Sequence, residues 1–362
     1  MSRVVGHLDL DYFYAQVEEV ENPSLKALPV LVCVFSGRTE DSGVVSTANY
    51  VARELGIRSG ISIALAKKRL GQAKAALIPM NHEKYEEYSE RIMSIIREHA
   101  DAMEQTGIDE TFFELTVKSG GSFAVARKVA LQIKEQVFQS ERLTSSVGIA
   151  PNKVVAKLAS DFKKPDGLTV VPPEEARGFV APLVVEKLYG VGPKSAALLK
   201  GEGITTIGSL AVASLASLER LFGDKFAVYL HNASNGIDKE PVVEREGPTQ
   251  LSRIITLKKD SRDTTEILQQ LAPIIGDLQA RVAGRNLFFK SVTVIGILAD
   301  LSLRTKSKAM EAPTDQLSVI NNGLPDLLSQ LIAEHGALRR VGVKVADFTE
   351  GGQQSSLAEF MR

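Results

Sequence analysis

HLDLDYFYAQVEEV, residues 7–20, sets two aspartates inside an apolar run and follows them at once with three aromatic residues. Residues 3–10 alternate and branch as a strand does, and AQVEEVENPSLKAL reads as a short helix ending near Asn22 and Pro23. The stretch is therefore a strand, a turn and a helix, with carboxylates at the strand end. Asp9 and Asp11 stand at i and i+2, so on a strand both face one side. A second acidic pair, Asp109 and Glu110, opens another apolar strand, IDETFFELT at 108–116. Two unit charges about 4 Å apart repel by roughly 4 kcal/mol at a dielectric of about 20, so grouped acids call for a cation. Oxygen donors without histidine or thiolate nearby suit magnesium, with manganese as the alternative, and such groups hold two ions for in-line phosphoryl transfer. The competing reading is that each pair marks a strand end at the surface.

Outward from these pairs, strands and helices alternate. PVLVCVFSG reads as a strand leading into a loop, TANYVARELG as a helix closed by Gly56, and residues 83–104 as a long amphipathic helix. VARKVALQIKEQVF is a helix and LTSSVGIAP a strand, with no Gly-rich dinucleotide fingerprint. The expectation is an α+β sheet domain. After KKPDG, 163–167, short helices and small residues run to about 235. NGIDKEPVVEREGPTQ, charged and without periodicity, reads as a linker. Beyond it IITLKKD, a helix near 264–285, KSVTVIGILAD, a helix near 314–335 and RRVGVKVADF form a second α/β unit.

With 362 residues, 44% of them hydrophobic and 24% charged, the chain is long enough for two or more domains. The longest apolar stretch, ALPVLVCVF at 27–35, is about half of what a bilayer needs and reads as a buried strand, so no membrane partner is expected. The N-terminus lacks a secretory pattern and the single Cys33 rules out a disulfide framework, which points to the cytoplasm. Net charge is −1, yet residues 249–308 hold ten Lys or Arg against five Asp or Glu, and RRVGVK follows at 339–344. That is a local basic surface, of a kind that nucleic acid or plain solvation each accounts for.

Phosphate chemistry has its own signals. Tyr12, Phe13 and Tyr14 fall at a strand-to-helix turn, where backbone N–H groups are free to meet an anion. Tyr50 and Arg53, at i and i+3, pair a hydroxyl with a guanidinium, Thr47 precedes them, and Lys164 lies in a loop. LYGVGPKSAALLKGEGI, 188–204, places Gly190 and Gly192 between two short helical segments, with Lys194 at the second one's start. This is the pattern of a helix-hairpin-helix, whose glycines bring backbone N–H groups to a phosphate.

HLDLDYFYAQVEEV, SGVVSTANYVAR, GIDETFFELT, SVGIAPNKVVAKLASDFKKPDG and LYGVGPKSAALLKGEGI resemble, in order and approximate spacing, the Y-family DNA polymerases, and the chain is most similar to their archaeal lesion-bypass branch. The resemblance covers residues 3–348. It implies a right-handed polymerase: a palm from 1–11 and 79–167, fingers from 12–78, and a thumb from 168–235. A linker at 236–248, an α/β little finger at 249–348 and a tail at 349–362 complete it. It further implies that Asp9, Asp109 and Glu110, with the Leu10 carbonyl, are metal ligands and catalytic. Asp11 then becomes structural. Tyr14 excludes a 2′-hydroxyl from the sugar pocket, while Thr47, Tyr50, Arg53, Lys164 and the N–H groups of Tyr12 and Phe13 hold the triphosphate.

The implied reaction is low-fidelity, template-directed joining of a deoxynucleoside triphosphate to a primer 3′-hydroxyl with two Mg2+ or Mn2+ ions. Small residues such as Gly43, Val44 and Ser46 fit an open active site. Gly190, Gly192 and Lys194, together with Arg339 and Arg340, are expected on primer-template DNA. Gln354, Leu357 and Phe360 resemble a motif that docks on a sliding clamp, with Met361 in place of a second aromatic; the protein is expected to be a monomer. Gly107 stands where relatives often carry serine. A nucleotidyl cyclase would use similar acids, and a DNA-binding scaffold would lack catalysis.

Overall fold

β1 (Val5–Leu10) leads through Tyr12, whose backbone is left-handed at φ 36° and ψ 43°, into α1 (Phe13–Glu21). β2 (Val30–Phe35), β3 (Gly43–Ala48), α2 (Tyr50–Glu54), α3 (Ile63–Leu70) and β4 (Ala76–Pro79) follow. Then come α4 (His82–His99), β5 (Ala102–Gln105), β6 (Glu110–Glu114), α5 (Phe123–Glu141), β7 (Ser145–Ala150), α6 (Lys153–Phe162) and β8 (Leu168–Val170). The structure is a computed structural model and describes residues 1–244 and 247–350. Two units partition these: 1–33, 45–61 and 65–244 form one, and 34–44, 62–64 and 247–350 the other.

In the first unit β5, β6, β1, β7 and β8 lie in that order in one sheet, with β1 antiparallel to both neighbours. Both faces are covered, so β1 and β7 are buried at almost every position, polar residues included. Leu8, Leu10, Phe113, Val147 and Ile149 pack with Tyr85, Ile92 and Ile96 of α4 and Ile133 and Val137 of α5. Val5, Phe112 and Ala150 belong to a second core with Val155 and Ala159 of α6 and the helices that follow. Gly148 lets α6 lie against the sheet: a Cβ there would stand 2.1 Å from the Ala156 carbonyl oxygen and 2.4 Å from the Ser160 nitrogen. Asn152 starts α6 by accepting from the Val155 N–H. A smaller sheet runs β3, β2, β4, the last two parallel.

α7 (Ala176–Val180), α8 (Pro193–Gly201), α9 (Ile207–Ala211), α10 (Leu215–Phe222) and α11 (Asp224–Ser234) complete this unit's helices. The expected linker begins docked on the sheet domain: Asn152 donates to the Gly236 carbonyl, Val242 is buried, and Lys153 bridges Glu104 and the Pro241 carbonyl. In the second unit β9 (Gln250–Ser261), α12 (Thr264–Ala283), β10 (Leu287–Ile297), β11 (Leu303–Thr314), α13 (Leu317–His335) and β12 (Leu338–Ala346) build an antiparallel sheet ordered β11, β10, β12, β9. α12 and α13 share its core, with Leu271, Leu278, Leu328 and Leu331 against Val292, Val294, Val341 and Val343. Residues 34–44 join this unit because Arg38 donates to the Leu257 carbonyl and to Asp260.

Four expectations need correction. Thr47 and Ala48 close strand β3 rather than open a helix, because the Asn49 side chain caps α2 and β3 carries the β-branched Val44, Val45 and Thr47. The long helix stops at His99, and 102–105 add an edge strand beside β6. β11 escaped notice because it is exposed along most of its length and so carries no apolar alternation. The first half of the expected helix-hairpin-helix is a single 3-10 turn, Val185–Lys187. Among the described residues no helix is long and apolar enough to cross a membrane.

Candidate active site

The strand pairing assembles the acids. Asp9 on β1 lies opposite Glu110 on β6, and the Leu10 N–H donates to the Asp109 carbonyl at 2.9 Å. The N–H groups of Thr106 and Gly107 donate to the Glu110 carbonyl, and Ser89 of α4 donates to the Ile108 carbonyl, so the loop carrying Asp109 is pinned on both sides. Gly107 leaves room there: a Cβ would lie 3.0 Å from Glu110 Cγ and 3.3 Å from an Asp109 oxygen.

These carboxylates open on a cleft of about 240 Å³ lined by Asp9, Leu10, Tyr12, Phe13, Ser46, Thr47, Tyr50, Arg53, Ser59, Asp109 and Lys164. Ten expected residues, all of the lining but Ser59, thus share one cavity. Arg53 is fixed by its Nε donating to the Ala48 carbonyl at 2.9 Å, with its guanidinium 4.8 Å above the Tyr50 ring. Tyr50 in turn meets the Tyr12 ring edge-on at 5.2 Å. Burial raises the Tyr50 hydroxyl above its ordinary pKa. Among the described residues no side chain caps α1, which leaves its first N–H groups open to an anion.

Glu110 and Tyr14 stand outside that lining. Glu110 turns to α6, where it contacts the Lys157 ammonium and lies 3.6 Å from His7 Nε2. His7 is buried, sits two residues before Asp9 on the same strand face, and bonds Ser160 Oγ at 2.8 Å. Tyr14 stacks on Tyr85 with centroids 4.3 Å apart. Among the described residues no three His, Cys, Asp or Glu side chains stand close enough to hold an ion together. The expected meeting of three acids is therefore not met in this arrangement. Asp9 and Glu110 each pair with an ammonium, Lys164 and Lys157.

Lys164 shows the same balance, 2.7 Å from Asp9 and 2.9 Å from Asp161. Burial pulls its pKa down, but Asp9 and Asp161 outweigh burial and the net direction is up. Burial raises Asp9 to about 6 although Lys164 opposes it, and burial also raises Asp109. Glu110 goes the other way, to about 2, through His7 and then, against the pull of burial, Lys157. Burial lowers His7. Asp11 is buried apart from the cleft, accepting from Thr144 Oγ1, Ser146 Oγ and the Asp166 N–H.

Sequence reasoning passed over His7, Ser59, Lys157 and Asp161. A signal existed for two of them: Lys153, Lys157, Asp161 and Lys164 recur at four, four and three residues, one polar face of a helix. Elsewhere Gly190 is left-handed at φ 83°, Gly192 precedes α8 with no side-chain cap, and Lys194 is exposed. Arg339 and Arg340 lie half-buried on β12, and Arg340 Nε is buried without a hydrogen-bond partner among the described residues. Gln354, Leu357 and Phe360 fall outside the described residues.

Comparison with known proteins covers the whole chain. The impB/mucB/samB family matches residues 8–161 and its C-terminal domain residues 248–357, while a DNA polymerase-iota thumb domain matches 186–238. The DNA polymerase IV of Nitrosopumilus maritimus is 40% identical, with 99% of each chain covered, and that of Methanosarcina acetivorans is 41% identical over 99% of this chain and all of its own. Among solved structures, a Y-family DNA polymerase chimera of Dbh and Dpo4 matches with a TM-score of 0.90 at 35% identity, covering 96% of this chain and 100% of that one. An insertion ternary complex of Dbh DNA polymerase matches with a TM-score of 0.71, also at 35% identity and the same coverage.

Proposed function

This chain belongs to the impB/mucB/samB family of Y-family DNA polymerases and is a DNA-directed DNA polymerase of the lesion-bypass type, and we propose that the cleft at Asp9 and Asp109 is where it extends a primer. One observation carries the assignment: two half-buried carboxylates and three phosphate-seeking side chains, Tyr50, Arg53 and Lys164, converge on a single cavity.

The donor chemistry fits divalent metal. The acids lining the cleft, Asp9 and Asp109, offer hard oxygens, no thiolate or imidazole is among its lining residues, and Asp9 already takes a cationic partner in Lys164. Asp9, Asp109 and Glu110, with the Leu10 carbonyl, would hold two Mg2+ ions, and Mn2+ suits the same oxygens. Such ions, when bound, lower the pKa of the primer 3′-hydroxyl and offset charge on the departing pyrophosphate.

The chain's own residues do the rest. Arg53 meets phosphate oxygens with a guanidinium already fixed in place, and Tyr50 and Thr47 donate hydroxyls beside it. The N–H groups of Tyr12 and Phe13 and the Lys164 ammonium complete the triphosphate cradle, and Tyr14 bars the 2′-hydroxyl. The loop at Gly190 and Gly192 with Lys194, and separately Arg339 and Arg340, hold primer-template DNA by its backbone. We assign palm, fingers, thumb and little finger to the residue ranges expected from the sequence. Gln354, Leu357 and Phe360 are assigned to a sliding clamp, and the protein to a monomer working beside DNA in the cytoplasm.

The test is primer extension with magnesium, a primer-template and one labelled deoxynucleotide. Asp109→Ala is expected to abolish extension while DNA affinity changes little. Extension at the native rate by that variant would overturn the site.

A further inference from the structure

We propose that Tyr85 is a positioning residue for sugar selection, holding Tyr14 at the angle from which it bars a ribose; this rests on the reading of Tyr14 above. A ring that discriminates by steric contact must resist being pushed aside. Tyr14 is half-buried and has two rotatable side-chain bonds, so its own helix does not fix its plane. Tyr85 does. Its ring, fully buried in the first turn of α4, lies 21° from parallel to Tyr14 at 4.3 Å between centroids. Phe13, itself buried, meets both rings, at 5.4 Å from Tyr14 and 6.2 Å from Tyr85.

Tyr85 is itself held at its far end. Its hydroxyl donates to Glu18 at 2.6 Å, and the Lys84 ammonium lies 2.7 Å from the same carboxylate and 5.6 Å from the Tyr85 ring centre. Glu18 sits on α1, one turn beyond Tyr14, so one carboxylate ties the stacked ring on α4 to the helix that carries the gate. A phenylalanine would fill the same space. The hydroxyl adds a bond that stops the ring from sliding along α1.

The experiment measures kcat/KM for one deoxynucleotide and its ribonucleotide counterpart with the native protein, Tyr14→Ala, Tyr85→Leu, Tyr85→Met and Tyr85→Phe. A freed gate is expected to raise the ribonucleotide-to-deoxynucleotide ratio about tenfold in Tyr85→Leu and Tyr85→Met, the scale on which a pocket loses steric discrimination. Tyr85→Phe, which keeps the stack, should stay within about threefold of the native ratio. A loss of stability alone lowers both rates and leaves the ratio unchanged. If Tyr85→Leu does not fold, the flexible, similar-sized Tyr85→Met decides. A native ratio in the folded Tyr85 variants, with Tyr14→Ala relaxed, overturns the role of Tyr85 alone. A native ratio in Tyr14→Ala overturns the reading of Tyr14 on which it stands.

Discussion

Asp9 and Glu110 stand opposite each other in the antiparallel register of β1 and β6, yet their carboxylates take different lysines, Lys164 and Lys157. Cross-strand partners face the same side of a sheet, so the register alone brings acids one hundred residues apart to one surface. Both lysines come from α6 or the loop after it. The palm sheet supplies the acids and one helix supplies their counter-charges.

Asp9 follows an unfavourable balance for a folded carboxylate. Its folded pKa, about 6, lies above its ordinary 3.8, so the stability it contributes is present below about 3.8 and is lost as pH rises through 6. In the metal-free protein at pH 7.5, Asp9→Asn is therefore expected to raise stability by about 3 kcal/mol, the net of burial against the attraction of Lys164. The same variant should lose polymerase activity by at least about a thousandfold. Calorimetry in chelator, beside primer extension in magnesium, checks both halves.

Glu110 behaves oppositely. With its pKa lowered to about 2 from 4.5, it stabilises the fold above about 4.5, and that contribution disappears as pH falls toward 2. Lys157→Met removes one of the two groups that hold it. The acid-unfolding midpoint, followed by circular dichroism from pH 5 down to about 2, should move to higher pH. An unchanged midpoint would show that His7 holds Glu110 unaided.

Gly148 ties the fold to the site. An added Cβ meets backbone atoms of α6, which cannot turn aside as a side chain can, so Gly148→Ala must lift the helix from the sheet. The expected cost is about 3 kcal/mol, the upper range of overpacking. Because α6 carries Lys157 and leads to Lys164, extension should fall more than the unfolded fraction explains. Urea unfolding and primer extension on one preparation separate the two effects.

Much of this was legible because the palm strands are buried on both faces and their acids interrupt apolar stretches. Asp9, Asp109 and the Tyr50–Arg53 pair are local signals, and the fold brings them to one cleft. The other contacts depend on partners far apart in the chain. Lys157 reads as one more lysine on a helix until register places Glu110 beside it, and Tyr85 as an apolar position of α4 until Tyr14 is seen against it. The turn from β3 to α2 was hidden because TANYVAR satisfies both patterns, and Asn49 decides between them through its cap. β11, exposed on most positions, has no burial to write into its sequence.

Arg53 is where charge and geometry part company most cleanly. Its Nε is committed to the Ala48 carbonyl and its plane to the Tyr50 ring, which leaves the outer guanidinium nitrogens aimed by structure rather than by the ligand. Lysine keeps the charge but supplies neither the planar stack nor the bond to Ala48. If positioning matters, Arg53→Lys should lose about tenfold in kcat/KM, close to the loss in Arg53→Ala, with most of it in KM because the phosphates are held in the ground state as well. If charge alone matters, Arg53→Lys should retain nearly native values while Arg53→Ala falls. Steady-state incorporation of one deoxynucleotide at saturating DNA tells the two apart, and duplex affinity measured without nucleotide should be unchanged in both variants.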